Sequence, residues 1–237
     1  MLEKVLRLAV GNPRRMAGRS IVLAYHNVVP DGLQDRGDRS LHLPWSRFLR
    51  QIDLVQTHCS VRPLSDLLAE GPFDDGPHVA ITFDDAYRGA VELALPELAR
   101  RRLPSTLFVA PGLLGCQSFW WDELAHGSEG LPAEVRRTAL EVDGGRQERI
   151  RSTRRATAAD PLPWHFGCAG EPQIRALARP EGLVLGAHSW SHPNLARITP
   201  EELAVELTRP LEWLRAAAIP MIPVLAYPYG LSSPEVE

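Results

Sequence analysis

The stretch that decides the fold is His78-Val79-Ala80-Ile81-Thr82-Phe83-Asp84-Asp85-Ala86-Tyr87. Five mostly apolar residues, Val79 to Phe83, run straight into two adjacent carboxylates, and an amphipathic stretch from Arg88 to Arg102 follows. That order predicts a buried strand, a sharp turn and a helix, with both acids at the carboxyl end of the strand. Ligands and catalytic groups gather at that end in parallel α/β folds. Asp ahead of a helix is also a common N-cap, so the pair by itself leaves capping and chemistry open.

The same unit recurs on both sides. Upstream, Ser20 to Tyr25 reads as a buried strand ending at His26-Asn27. A helix then starts at about Pro44, with Phe48, Leu49, Ile52 and Val55 at helical spacing, and a brief helix from Ser65 to Glu70 is closed by Gly71-Pro72. Downstream, Pro96 predicts a kink near Leu95, and Ser105 to Ala110 is the next strand. Phe119 to Leu124 starts a helix whose Trp pair reads as packing or a cleft wall. Gly182 to Ala187 is a strand that delivers His188-Ser189-Trp190-Ser191-His192-Pro193. Thr199-Pro200-Glu201-Glu202 is a capped helix start, and the strand Ile222 to Ala226 ends in Tyr227-Pro228-Tyr229-Gly230. Alternating strands and helices predict a mainly parallel sheet, and this many units predicts a closed or nearly closed barrel.

Composition narrows the function classes. The chain has 237 residues, 44% hydrophobic and 23% charged, which suits one α/β barrel with a sizeable core. A net charge of -3 gives no electrostatic case for nucleic acid or an anionic membrane. Cys59, Cys116 and Cys168 are far apart and form no CxxC pair, which points to incidental thiols in a reducing compartment. The start, up to Arg19, is a poor secretory signal, and no segment is long enough to span a membrane. The cytoplasm is the expected location, with a peripheral contact at the inner membrane face through a short helix from Leu2 to Val10 as the alternative to simple packing. From about Ser128 to Gly170 arginines crowd among few large apolar residues. This stretch reads as a helical insertion with a solvated face.

Four strands thus end in unusual side chains: His26, Asp84-Asp85, His188 with His192, and Tyr227 to Gly230. Each has an ordinary structural explanation alone, but a parallel barrel puts all four on one face, and together they make a site. Two imidazoles and a carboxylate suit a divalent metal with positions left for water and substrate. Pro193 after His192, with Gly186 and Ser189 nearby, favours a loop over a helical HxxxH, and the Glu of an HExxH protease is missing.

Thr82-Phe83-Asp84-Asp85 and His188-Ser189-Trp190-Ser191-His192 resemble, in that order and separation, the two leading motifs of the polysaccharide deacetylases with the NodB homology domain (carbohydrate esterase family 4). Leu23-Ala24-Tyr25-His26-Asn27-Val28 resembles the Tyr-His-x-Val strand of the branch that includes the poly-N-acetylglucosamine deacetylases. The resemblance spans about residues 20 to 230, as a single domain, and implies a distorted (β/α) barrel with fewer than eight strands. It implies Asp85, His188 and His192 as metal ligands, with Zn²⁺ first and Co²⁺, Mn²⁺ or Fe²⁺ as alternatives. Asp84 is then the catalytic base, the Tyr229 N–H an oxyanion donor and His26 the general acid. The implied activity is removal of N-acetyl groups from N-acetylhexosamine units of a polysaccharide or lipid-linked glycan. An O-acetyl esterase on the same machinery, or a glycan-binding relic without turnover, are the alternatives.

Two departures stand out. Ala226 takes the place of the Arg that usually holds the base. The Leu-x-His motif that usually carries the acid does not follow Gly230, which implies a barrel incomplete at its C-terminal edge: either the chain is a fragment, or a second copy or another chain covers that edge.

Overall fold

The computed structural model describes residues 20–69, 77–154, 161–177 and 182–237. The expected helix from Leu2 to Val10, the Gly71-Pro72 stop and residues 155–160 of the Arg-rich stretch lie outside them. In chain order the strands are β1 (Ser20–Tyr25), β2 (Asn27–Val29), β3 (His42–Pro44), β4 (Ser60–Val61), β5 (His78–Phe83), β6 (Ser105–Val109), β7 (Leu183–Ala187) and β8 (Met221–Leu225). The α-helices are α1 (Trp45–His58), α2 (Leu64–Ala69), α3 (Leu95–Arg100), α4 (Trp120–Glu123), α5 (Ala133–Glu141), α6 (Gln147–Thr153), α7 (Glu171–Ala176) and α8 (Pro200–Ala216).

The main sheet runs β1-β5-β6-β7-β8, parallel throughout, with β4 added beside the start of β5. β5 pairs with β1, β4 and β6, and all six of its residues are buried. A strand buried on both faces needs no polar alternation, which is why His78 to Phe83 reads as a nearly unbroken apolar run. β2 and β3 form a separate parallel pair over this end of the sheet. The fold is the expected α/β architecture, consistent with a distorted barrel. Among the described residues its path ends at β1 and β8, so the sheet is not closed.

Helix packing explains two details that the sequence pattern leaves open. On α1 the buried stripe is Phe48, Gln51, Ile52 and Val55, so Gln51 takes the place expected of Leu49. It does so because its Oε1 accepts the Tyr25 hydroxyl at 3.0 Å, which satisfies a buried phenol. The Tyr25 ring meanwhile packs on Phe48 and Phe83, with centroids 5.5 and 5.4 Å away. After β5 the chain makes a π-helical turn, Ala90–Ala94, before α3. The π turn lies directly ahead of Leu95-Pro96, where the proline removes a helical donor and a kink is expected.

α8 starts as its sequence predicts. Thr199 Oγ1 accepts from Glu202 N while Glu202 Oε2 accepts from Thr199 N, with Pro200 in the first turn. The Arg-rich stretch is helical, as α5 and α6, and buries Ala139 and Ile150 in the core. Its arginines are tied to carboxylates of the protein itself: Arg136 to Asp38, Arg146 to Glu202, Arg151 to Glu123, and Arg149 and Arg154 to Asp143.

Gly89, just past the Asp84-Asp85 turn, has no room for a side chain. A Cβ there would lie 2.1 Å from the Val28 carbonyl oxygen and 2.3 Å from Asn27 Oδ1. Both contacts belong to β2, so Gly89→Ala must push the turn and β2 apart. Thermal unfolding of Gly89→Ala is expected to show a loss of about 1–3 kcal/mol, the usual cost of overpacking. An unchanged Tm would mean that β2 is not held against this turn.

Candidate metal centre and active site

The parallel register delivers the site residues to one end of the sheet. Backbone bonds extend the ladders past the strand ends: Asp84 N donates to Tyr25 O, His188 N to Val109 O, and Ala226 N to Ala187 O. Left-handed backbone then turns the chain sharply. Asp85 and Ala86 have φ of 66° and 52°, Ser189 and His192 both 59°, and Tyr229 60°. Such values are strained for non-glycine residues, cost about 1–3 kcal/mol each and concentrate at functional sites. The His188–His192 segment is a loop, as Pro193 predicts.

Asp85, His188 and His192 converge, with one ligand atom of each within 4.8 Å of the others. Asp85 Oδ1 lies 3.2 Å from His192 Nε2 and 3.6 Å from His188 Nε2, and the two Nε2 atoms are 3.0 Å apart. His188 Nδ1 donates to the Ala226 carbonyl at 2.8 Å, which leaves the Nε2 lone pair aimed at the other two groups. Burial pulls the His188 pKa down to about 4, partly opposed by that hydrogen bond, and pulls His192 well below its ordinary value. Neutral imidazoles are the form that binds metals. Burial, reinforced by Asp84, pushes Asp85 well above the usual carboxylate range. Its Oδ1 is buried without a hydrogen-bond partner. An uncompensated carboxylate oxygen facing two imidazole lone pairs is a donor set that fits a divalent cation.

Asp84 and His26 stand beside this triad. His26 Nε2 is 3.9 Å from Asp84 Oδ2, with the imidazole 32% exposed and the carboxylate 16%. Among the described residues His26 is the basic side chain within ion-pairing reach of Asp84. Burial raises Asp84 and lowers His26, and in each case the other member of the pair opposes the shift. A cleft of about 490 Å³ opens beside His26, lined in part by Ser40, Arg47 and Gln51.

Tyr229 is also at the site, but its ring does more than the sequence suggested. It packs edge-on against His192, with centroids 4.5 Å apart, while its hydroxyl donates to Gly145 O and accepts from Trp120 Nε1, both at 3.0 Å. Gly145 lies between α5 and α6, so the Arg-rich stretch forms one wall of the site. Trp121 packs there too, 5.2 Å from His192 between centroids, and its burial in the core makes the Trp pair packing.

Sequence reading missed the network beneath this wall. Asp122 is buried, and its Oδ1 accepts from His42 Nε2 and Asp38 N, both at 2.8 Å; its Oδ2 accepts from the Tyr87 hydroxyl at 2.7 Å. Tyr87 in turn accepts from Trp121 Nε1 at 2.6 Å. Asn27 Nδ2 donates to His42 Nδ1 at 3.1 Å, which fixes the His42 tautomer. The one sequence signal was an acid directly after two tryptophans. Its partners, 35 and 80 residues away, left no local pattern. Cys168 donates to the Asp85 carbonyl at 3.3 Å, and all three cysteines are free thiols.

The model of the family described as polysaccharide deacetylase matches residues 73–237. Among solved structures, IcaB from Ammonifex degensii is 20% identical, with a TM-score of 0.60 over 92% of this chain and 77% of its own. The Streptococcus pyogenes deacetylase PplD in complex with acetate is 15% identical, with a TM-score of 0.59 over 91% and 76%. A de-N-acetylase from Aggregatibacter actinomycetemcomitans is 15% identical, with a TM-score of 0.56 over 92% and 82%. At these identities the likeness is one of fold. No curated protein matches the chain.

Removing the Asp122 carboxylate would leave the His42 Nε2–H and the Tyr87 hydroxyl proton buried without an acceptor. Asp122→Ala is expected to lose about 3–5 kcal/mol in denaturant unfolding, as for a broken buried pair. A loss below about 1 kcal/mol, the level of an exposed pair, would show the network to be incidental.

Proposed function

The chain belongs to the polysaccharide deacetylase family, and from that premise we propose that it hydrolyses the N-acetyl amide of N-acetylhexosamine units in a glycan or lipid-linked sugar. The observation that carries this reading is the placement of Asp84 and His26 beside the Asp85-His188-His192 triad, with His26 lining an adjacent cleft. Asp85, His188 and His192 hold the cation. Zn²⁺ is the proposed occupant, because two imidazoles and a carboxylate are the donor set of hydrolytic zinc sites. When bound, the cation supplies Lewis acidity to the acetyl carbonyl and acidifies water.

The chain's own groups then move the protons. Asp84 accepts a proton from the attacking water. The Tyr229 backbone N–H donates to the oxygen on which charge develops. His26, on the cleft side of Asp84, gives a proton to the departing sugar nitrogen, so that acetate and a free amine leave. Trp121 and Tyr229, packed on His192, exclude water from the ligand side. The cleft beside His26 is of the size that takes a small ligand. No helix among the described residues is long and apolar enough to cross a membrane. A cytoplasmic enzyme reaching a lipid-linked sugar at the inner membrane face is part of the same proposal.

Acetate release from an N-acetylglucosamine oligomer is expected to stop with EDTA and return with Zn²⁺, Co²⁺ or Mn²⁺. Asp84→Asn is expected to keep its metal and lose about 10²–10⁴-fold in kcat, the range of a general base. Full activity in metal-replete Asp84→Asn would remove Asp84 from the mechanism. Turnover of O-acetyl esters alone would replace the amide by an ester.

A further inference from the structure

The loop that carries both histidines is held from behind by a residue the catalytic reading does not use. Glu206 lies on α8, is 8% exposed, and directs its carboxylate into the His188–His192 loop. Its Oε2 accepts from Trp190 N and Ser191 N, both at 2.8 Å, and its Oε1 accepts from the Ser191 hydroxyl at 2.6 Å. Both carboxylate oxygens are thus spent on the loop, Oε2 on two backbone donors and Oε1 on the hydroxyl. The two N–H groups sit between Ser189 and His192, whose backbones are both left-handed. Two successive donors converging on one oxygen in such a turn form an anion-holding concavity, here filled by a side chain of the protein.

Two other hydrogen bonds of the loop are neutral. Trp190 O accepts from Gly112 N at 2.8 Å, and Ser189 Oγ accepts from His192 N at 3.0 Å. Arg209, one helical turn beyond Glu206, stacks on the far-side Trp190 ring at 3.8 Å and leaves the loop backbone to Glu206. A cleft of about 930 Å³ runs past Glu206, Arg209 and Trp190 on this side of the loop, away from Asp84 and His26.

We propose that Glu206 is a positioning residue for the metal centre. By fixing the backbone of Trp190 and Ser191 it sets the spacing between the Nε2 atoms of His188 and His192, and so tunes cation affinity from outside the ligand set. The inference rests on the reading of Asp85, His188 and His192 as a cation site. α8 is thereby more than a packing helix: its capped start, Thr199 to Glu202, fixes the height at which Glu206 meets the loop.

The test is Co²⁺ binding to the apoprotein by calorimetry and visible absorption, for the parent chain, Glu206→Gln, Glu206→Ala and Glu212→Gln. Glu212 is exposed on the same helix and controls for loss of helix charge. Co²⁺ affinity is expected to fall roughly tenfold in Glu206→Gln and toward a hundredfold in Glu206→Ala, the range for residues that orient metal ligands. The absorption bands of bound Co²⁺ shift, kcat at saturating Co²⁺ returns toward the parent value, and Glu212→Gln behaves as the parent. Parent affinity and spectrum in Glu206→Gln overturn the proposal, and that isosteric variant decides alone if Glu206→Ala does not fold. Equal weakening in Glu212→Gln overturns it as well, by reducing the effect to helix charge. A parent chain that takes up no Co²⁺ overturns the metal centre and this proposal together, before any variant is compared.

Discussion

A carboxylate oxygen buried without a hydrogen bond costs several kcal/mol unless a charge answers it, and Asp85 Oδ1 is such an oxygen. The groups facing it are two imidazoles that burial keeps neutral, so among the described residues no side chain supplies that charge. The fold nevertheless fixes all three in place, through left-handed turns at Asp85 and His192 and a backbone carbonyl on His188 Nδ1. Strain, desolvation and an oriented tautomer all serve one arrangement, which is compensated only when a cation is shared among the three. This constraint explains why the polar residues lie at the carboxyl end of the sheet and the apolar ones behind it.

The rest of the chain can be understood as support for that end. The parallel register brings β1, β5, β7 and β8 to a common rim, and the Asp122 network ties the β2–β3 segment to the wall over it. The Arg-rich stretch, anchored by ion pairs, contributes Gly145 to hold Tyr229 against His192. Glu206 reaches the same loop from α8. Second-layer contacts of this kind orient ligands without touching substrate, and they come from four separate regions of the sequence.

The strands and their ends were legible because each carries a local signal. An apolar run followed by a polar residue marks a buried strand whose tip faces a site, and Asp84-Asp85, His188, His192 and His26 all come together as that pattern implies. The boundary residues were nearly right for the same reason. What sequence could not show were partnerships between distant polar residues. Gln51 lies outside the apolar spacing that marks α1, and it is buried because Tyr25 needs an acceptor. Asp122, His42 and Glu206 carry no local motif, and their importance lies wholly in what they meet across the fold. The orientation of Asp84 was likewise invisible: Ala226 removes the expected arginine, and His26, 58 residues upstream in sequence, faces it only through the β1–β5 pairing.

The central claim is that Asp85, His188 and His192 form one cation site through a carboxylate oxygen and two Nε2 atoms. The most direct measurement is a crystal structure of the Zn²⁺-loaded protein with anomalous difference maps at the zinc edge. The account predicts a single strong peak per chain, about 2.0–2.2 Å from an Asp85 carboxylate oxygen and from Nε2 of both histidines, with His26 and Asp84 on its open side. A peak at other residues, or ligation through His188 Nδ1 after loss of its bond to Ala226, would contradict it.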